Sequence, residues 1–184
     1  MNVLVIDTST ATTVLGLQSN DQLFDHSSTP SHSHSRDILP AIDKLMRGAG
    51  IELAMLDAIV FGQGPGSFTG LRIAVGVVQG LGYGLKIPLV PVSSMAALAQ
   101  QLALDNEQKG IAVALKARLE EVYFGAYVIT DGIAESIALE SVMDVSLLPR
   151  LDQPVIGSTD SQSSRCWLGI GDGWDFRSQL EASL

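Results

Sequence analysis

AIVFGQGPGSFTGLRIAVGVVQGLGYGL, residues 58–85, joins a short apolar run to a glycine-rich loop and then to a long apolar segment. The first four residues have the composition of a buried strand, and the last part predicts a helix from about Phe68 to Leu85. A loop this rich in glycine lets its backbone approach a phosphate, a substrate or another part of a protein closely. We expect it to set the angle at which the helix begins. The residues assigned to this role are Gly64, Pro65, Gly66, Ser67 and Thr69.

The loop matches none of the common enzyme motifs. No lysine follows Gly66 as in a phosphate-binding P-loop, and Ser67 occupies the place of the third glycine in a dinucleotide-binding motif. Pro65 stands where the nucleophile elbow of a hydrolase has glycine. His32 and His34 lie two residues apart, but a zinc site needs three or four ligands. The sequence therefore predicts no metal site, and nothing in the spacing supports a Ser67–His34 catalytic pair.

The same alternation of elements extends over the whole chain. Three strands, the last two joined at Asn20-Asp21, precede a helix over residues 35–50, and the order is β-β-β-α-β-α-β-α up to residue 105. From Gly110 three strand patterns recur, at 111–117, 121–130 and 135–142. They are followed by a short helix at 144–150, a strand at 154–157, a polar loop at 158–165 and a last strand. We predict an α/β fold of two ribonuclease-H-like or actin-like lobes, residues 1–105 and 106–184. The second lobe ends before its pattern is complete, which predicts truncation at the C-terminus.

Composition limits the classes of function. Of the 184 residues, 46% are hydrophobic and 17% are charged, which is typical of a folded domain. The net charge of −9 disfavours direct binding of nucleic acid. Cys166 is the single cysteine and can form no internal disulfide. The chain opens directly on a strand pattern, and its longest apolar stretch is interrupted by charged residues and proline, so we expect a cytoplasmic protein without a membrane span.

The first strand ends in IDTST, with an acidic residue followed by small hydroxyl residues. In actin-like ATPases a turn of this kind contacts phosphate, and the carboxylate would organise a magnesium ion. The alternative is a strand end whose polar groups satisfy the turn locally. The residues of this candidate phosphate-loop remnant are Asp7, Thr8, Ser9 and Thr10.

The helix after the glycine loop is the most informative element. Gly76, Gly80 and Gly84 recur every four residues, and each interior glycine costs about 1 kcal/mol relative to alanine. A bare glycine surface lets a second helix approach closely. That second helix could belong to this chain, to a partner protein, or to both. Without its partner, the same apolar helix should self-associate as a homodimer.

The chain resembles the TsaB (YeaZ) family in five segments, which are IDTST, HSRDILP, GQGPGSFTGLRIAVGVVQGL, IPLVPVSSMAALAQ and ARLEEVY. The resemblance implies a non-catalytic scaffold for tRNA threonylcarbamoyladenosine biosynthesis, which pairs with the catalytic paralogue TsaD and is joined by the ATPase TsaE. An upstream enzyme, TsaC, would supply the threonylcarbamoyl-adenylate. The metal-binding H-x-x-x-H of TsaD should fall at Ser94 and Leu98, so neither ligand is present.

The resemblance also assigns a partner interface. Its residues are Ile38, Ile42, Leu45, Met46, Arg72, Ile73, Gly76, Val77, Gly80, Tyr83 and Gly84. Lys116 and Glu120 depart from the family's usual aspartate and glycine, which puts any role of that turn in doubt. No cofactor is expected, and nucleotide or magnesium binding at a joint between subunits stays open. The alternatives are a stand-alone actin-like ATPase or kinase, tested by titration with ATP and magnesium, and a glycoprotease-like hydrolase.

Overall fold

The computed structural model describes residues 1–28, 34–103, 110–148 and 167–176, and divides the chain into two compact units, Met1–Ser94 and Met95–Leu184. The first unit contains a five-stranded sheet in the order β3-β2-β1-β4-β5. Its elements are β1 Asn2–Asp7, β2 Thr13–Ser19, β3 Gln22–Ser28, α1 His34–Ala49, a 3₁₀ turn Leu53–Met55, β4 Ala58–Gly64, α2 Phe68–Leu85 and β5 Leu89–Ser93.

One face of this sheet and the two helices form the core of the first unit. Strand residues alternate between the two faces of a sheet, so one face receives the apolar side chains of Leu4, Ile6, Leu15, Leu17 and Ile59. Helices α1 and α2 contribute buried side chains to the same cluster. Each fully buried aliphatic side chain stabilises the fold by about 1.5–3 kcal/mol.

Local signals set the ends of the elements much as the sequence predicts. Asn20 takes a left-handed φ of 53° in the turn between β2 and β3. The predicted bounds of α2 are confirmed: the side chain of Ser67 accepts the Gly70 N–H at its start, and Lys86 at φ 56° ends it. Both residues satisfy backbone groups that a helix end would otherwise leave free.

The second unit repeats the topology of the first. Its elements are α3 Ser94–Ala103, β6 Gly110–Lys116, β7 Glu121–Thr130, β8 Ile133–Ser136, β9 Ser141–Asp144, a 3₁₀ turn Val145–Leu147, β10 Trp167–Ile170 and a 3₁₀ turn Asp172–Phe176. The central strand β6 pairs with β7 antiparallel and with β10 parallel, as β1 pairs with β2 and β4. The fold is therefore a duplicated ribonuclease-H-like α/β fold. Among the residues that the structure describes, this sheet has no counterpart of β5.

Some details of the second unit differ from the sequence pattern. The segment predicted as one strand at 135–142 is two strands, because residues 137–140 leave the ladder between β8 and β9, which both pair with β7. The compact units divide after Ser94, whereas the sequence pattern ends the first lobe at residue 105. Helix α3 accounts for the difference, since its Met95 and Ala99 pack with the core of the second unit. The strand and polar loop predicted at 154–165 lie outside the described residues. Of the helix predicted at 144–150, residue 144 ends β9 and only Val145–Leu147 form a 3₁₀ turn, while residues 149–150 lie outside the described residues.

Candidate functional site

The turn after β1 and the glycine loop before α2 are bound to each other. The hydroxyl of Thr8 donates to the carbonyl oxygen of Gly70 at 2.7 Å, and the backbone N–H of Ser67 donates to the carbonyl oxygen of Ser9 at 2.6 Å. The carboxylate of Asp7 accepts the N–H of Ser9 at 2.6 Å. The first two bonds tie the start of α2 to the end of β1, and the third lies within the turn after β1.

This arrangement leaves the candidate phosphate-loop remnant engaged with its own chain. Thr8 is fully buried and Ser9 is 6% exposed. The Thr8 hydroxyl, which would have to meet a phosphate, is bound to the loop instead, and Thr10 bonds locally to Thr12. The described contacts are those of the alternative interpretation, a turn that satisfies its own polar groups. Within the described ranges, no group of three or more His, Cys, Asp or Glu residues could hold a metal ion.

The glycines around α2 are of two kinds. A Cβ on Gly66 would overlap the carbonyl oxygen of Ser9, and one on Gly70 would overlap that of Thr8. A Cβ on Gly82 would lie 2.5 Å from the Leu89 side chain. These glycines are therefore required by close approaches inside the first unit.

Gly76, Gly80 and Gly84 are of the other kind. They are exposed, and a Cβ on any of them would meet nothing within 4 Å in the chain. Large exposed side chains accompany them on α2, with Tyr83 89% and Phe68 68% exposed. We call the exposed residues Phe68, Arg72, Gly76, Gln79, Gly80, Tyr83 and Gly84 the α2 face.

The α1 part of the assigned interface needs correction. Ile38, Ile42, Leu45 and Met46 are only 0–7% exposed and pack in the core of the first unit, so they are core residues rather than exposed interface residues. Spacing could not distinguish the two roles, because a helix shows the same apolar stripe to its own sheet and to a partner. In α2, Ile73 and Val77 are partly buried against the same cluster. Of the assigned residues, Arg72, Gly76, Gly80, Tyr83 and Gly84 lie on the exposed side.

We predict that Thr8→Val destabilises the protein by about 1–2 kcal/mol, because the buried Gly70 carbonyl loses its hydrogen bond while the side-chain volume is kept. Urea denaturation of the whole chain measures the change. Thr10→Val is the matched control, since that residue is exposed and should change stability by less than about 0.5 kcal/mol. Equal effects of the two substitutions would contradict the role given to Thr8.

Comparison with known proteins identifies the family to which the chain belongs. A family model described as "TsaD: tRNA N6-adenosine threonylcarbamoyltransferase" matches residues 28–165. The curated Escherichia coli "tRNA threonylcarbamoyladenosine biosynthesis protein TsaB" is 30% identical over 95% of this chain and 72% of its own length. The chain belongs to the TsaB family. The Haemophilus influenzae protein of the same name is 35% identical over 70% of this chain and 54% of its own length.

Solved structures of the TsaB/YeaZ family agree with the fold. "YeaZ from Pseudomonas aeruginosa" superposes with a TM-score of 0.83 at 33% identity, covering 97% of this TsaB-family chain and 79% of that one. A second structure from that organism, described as similar to peptidase YEAZ, gives the same TM-score at 34% identity. In the described part of the chain, no helix is long and apolar enough to cross a membrane.

Lys116 and Glu120 have structural roles in the second unit. The ammonium group of Lys116 donates to a carboxylate oxygen of Asp175 at 2.7 Å, and this hydrogen bond raises the pKa of Lys116 above its usual value. The backbone N–H of Lys116 donates to Asp172 at 2.8 Å. Glu120 uses its carbonyl oxygen to accept the N–H of Val145 at 2.8 Å. Both residues join β6, or the turn after it, to a 3₁₀ segment of the same unit.

Proposed function

We propose that this TsaB-family chain acts in tRNA threonylcarbamoyladenosine biosynthesis as a non-catalytic subunit that pairs with TsaD through the α2 face. The supporting observation is that Gly76, Gly80 and Gly84 border open space, while Gly66, Gly70 and Gly82 border atoms of the chain itself. The names of the curated relatives support the pathway, and the α2 face supports the mode of action.

Gly76, Gly80 and Gly84 lower the stability of helix α2 in the free chain. Each interior glycine destabilises a helix by about 0.5–1 kcal/mol relative to alanine. Inside the described chain no close approach requires Gly76, Gly80 or Gly84. A partner helix can use that space, because the absence of side chains lets two helix backbones approach closely and gain packing contacts.

We predict that Gly84→Ala stabilises the isolated chain by about 0.5–1 kcal/mol and weakens its binding to TsaD. The added methyl group has open space in the free protein but would occupy volume needed by the partner. Gly82→Ala, two residues earlier, is the matched control: its Cβ would press on Leu89 and should destabilise the chain. Thermal denaturation and calorimetric titration with TsaD separate the two effects. A variant that is stabilised and still binds at wild-type strength would remove Gly84 from the interface.

The proposed role assigns the chemistry to other proteins. TsaD would transfer the threonylcarbamoyl group that TsaC supplies, and TsaE would join the TsaB–TsaD pair. Neither Ser94 nor Leu98 can take the place of the TsaD metal-binding histidines. Because the net charge of −9 disfavours contact with the phosphates of tRNA, the partner proteins would bind the tRNA. Without TsaD, the α2 face would pair with a second copy of itself.

Reconstitution tests the proposal directly. Purified TsaC, TsaD and TsaE from the same organism are given substrates and unmodified tRNA, with and without this chain, and modified adenosine is measured. We expect modification to depend on the chain. Equal modification in its absence would contradict the proposal. Titration of the isolated chain with ATP and magnesium tests the ATPase alternative, and we expect no tight binding, because the Thr8 turn is closed by the loop.

A further inference from the structure

Arg72 on the α2 face contacts the aromatic ring of Phe68. Its guanidinium carbon lies 3.9 Å from the centroid of the Phe68 ring, one helical turn earlier. Phe68 is 68% exposed, so the stacked pair lies at the surface. A cation over an aromatic face is attracted by the negative charge of that face, and this attraction restricts the arginine side chain before any partner binds.

No carboxylate of the described chain pairs with Arg72. The ion pairs among the described residues join Arg47 to Asp43 and Lys116 to Asp175. The chain has 20 acidic residues, but the sequence of the 18-residue helix α2 contains none. Arg72 therefore places a positive charge on the surface of an acidic protein, with no acidic residue on its own helix.

An arginine with no carboxylate partner among the described residues suits a particular ligand. The guanidinium is planar and carries its N–H donors in that plane. Those donors form a rigid fork that matches the two oxygens of a carboxylate. A protein side chain of Asp or Glu can reach such a fork at an interface between helices.

We propose that Arg72, positioned by Phe68, is a specificity-determining residue that receives an Asp or Glu side chain of the partner protein and favours that partner over a second copy of this chain. This inference rests on the proposed function, with TsaD as the partner. A second copy presents an α2 face that contains an arginine and no carboxylate, so it offers Arg72 no ion-pair partner on that face. A phosphate of tRNA is a weaker alternative, because the net charge of −9 repels a polyanion.

Calorimetric titration of the full chain with TsaD from the same organism, at about 50 and about 300 mM NaCl, tests the inference. We expect Arg72→Gln to weaken binding about 10-fold at low salt and to reduce the salt dependence. Arg72→Glu should weaken it about 100-fold, because it adds repulsion to the lost ion pair. Phe68→Leu should weaken it about threefold through loss of the stacking. Self-association, measured by sedimentation on the same variants, should not weaken with Arg72→Gln.

Lys44→Gln is the matched control for charge. It removes one positive charge from the exposed side of α1, where Lys44 lines a cavity with Phe24 and His26 on β3. We expect it to leave TsaD binding unchanged. Wild-type affinity and salt dependence in Arg72→Gln would overturn the inference and leave the proposed function intact, whereas failure of the wild-type chain to bind TsaD would overturn both. If Arg72→Gln weakens binding to TsaD only when tRNA is present, Arg72 binds a phosphate of the tRNA rather than a carboxylate of TsaD. That result would also overturn the inference.

Discussion

Gly70→Ala is expected to destabilise the protein by about 3 kcal/mol or more, a large part of the 5–15 kcal/mol that holds a typical domain together. A Cβ at this position would overlap the carbonyl oxygen of Thr8, which belongs to the backbone and cannot rotate away as a side chain could. Relief of the overlap would move the start of α2 away from β1. That movement would stretch the bonds from Thr8 to Gly70 and from Ser67 to Ser9.

Urea denaturation followed by circular dichroism measures the effect of Gly70→Ala on the whole chain. Gly76→Ala is the control, because it adds the same methyl group to the same helix where nothing lies within 4 Å. We expect the control to be stabilised by about 0.5–1 kcal/mol. If Gly70→Ala unfolds at the same denaturant concentration as the wild type, the junction between the glycine loop and the turn after β1 tolerates movement, and the structural role assigned to it is wrong.

The local features of the fold were predictable because their causes lie within a few residues. Ser67 begins α2 and the turn at Asn20 joins two strands through side-chain and backbone preferences that a short segment contains. The duplicated order of strands and helices also follows from such segments. The interruption between β8 and β9 is not visible in the sequence, because residues 137–139 are a short apolar run of the kind that also occurs in strands.

The candidate site was less predictable because its causes are distant in sequence. Thr8 and Gly70 are 62 residues apart, so no local pattern shows that the hydroxyl is bound to this backbone. The sequence left open what the backbone of the glycine loop approaches. In the structure it approaches the turn after β1 of the same chain. For Gly76, Gly80 and Gly84 the sequence allowed contact within the chain or with a partner, and the described chain leaves their surroundings open.

Gly80→Arg is expected to weaken binding to TsaD at least about 100-fold, or about 3 kcal/mol, and to abolish the contribution of this chain to tRNA modification. Gly80 lies in the middle of the open row on α2, with nothing within 4 Å of a Cβ. Helices that pack on such a surface approach to about 8 Å between axes, and a long charged side chain would have to be buried or would force them apart. In the free protein the arginine extends into solvent and improves helix propensity.

Two measurements distinguish a lost interface from a lost fold in Gly80→Arg. Thermal denaturation of the isolated variant should show a stability equal to or up to about 1 kcal/mol above that of the wild type, since arginine replaces glycine on an exposed helix. Gly48→Arg is the matched control: Gly48 is also an exposed helical glycine with open space, but it lies on α1 beside the cavity formed with β3. We expect this control to bind TsaD and to support modification as the wild type does. If Gly80→Arg pairs with TsaD at wild-type strength, the partner helix does not contact this part of α2; if both variants lose binding, the loss follows from added charge rather than from the bare surface around Gly80.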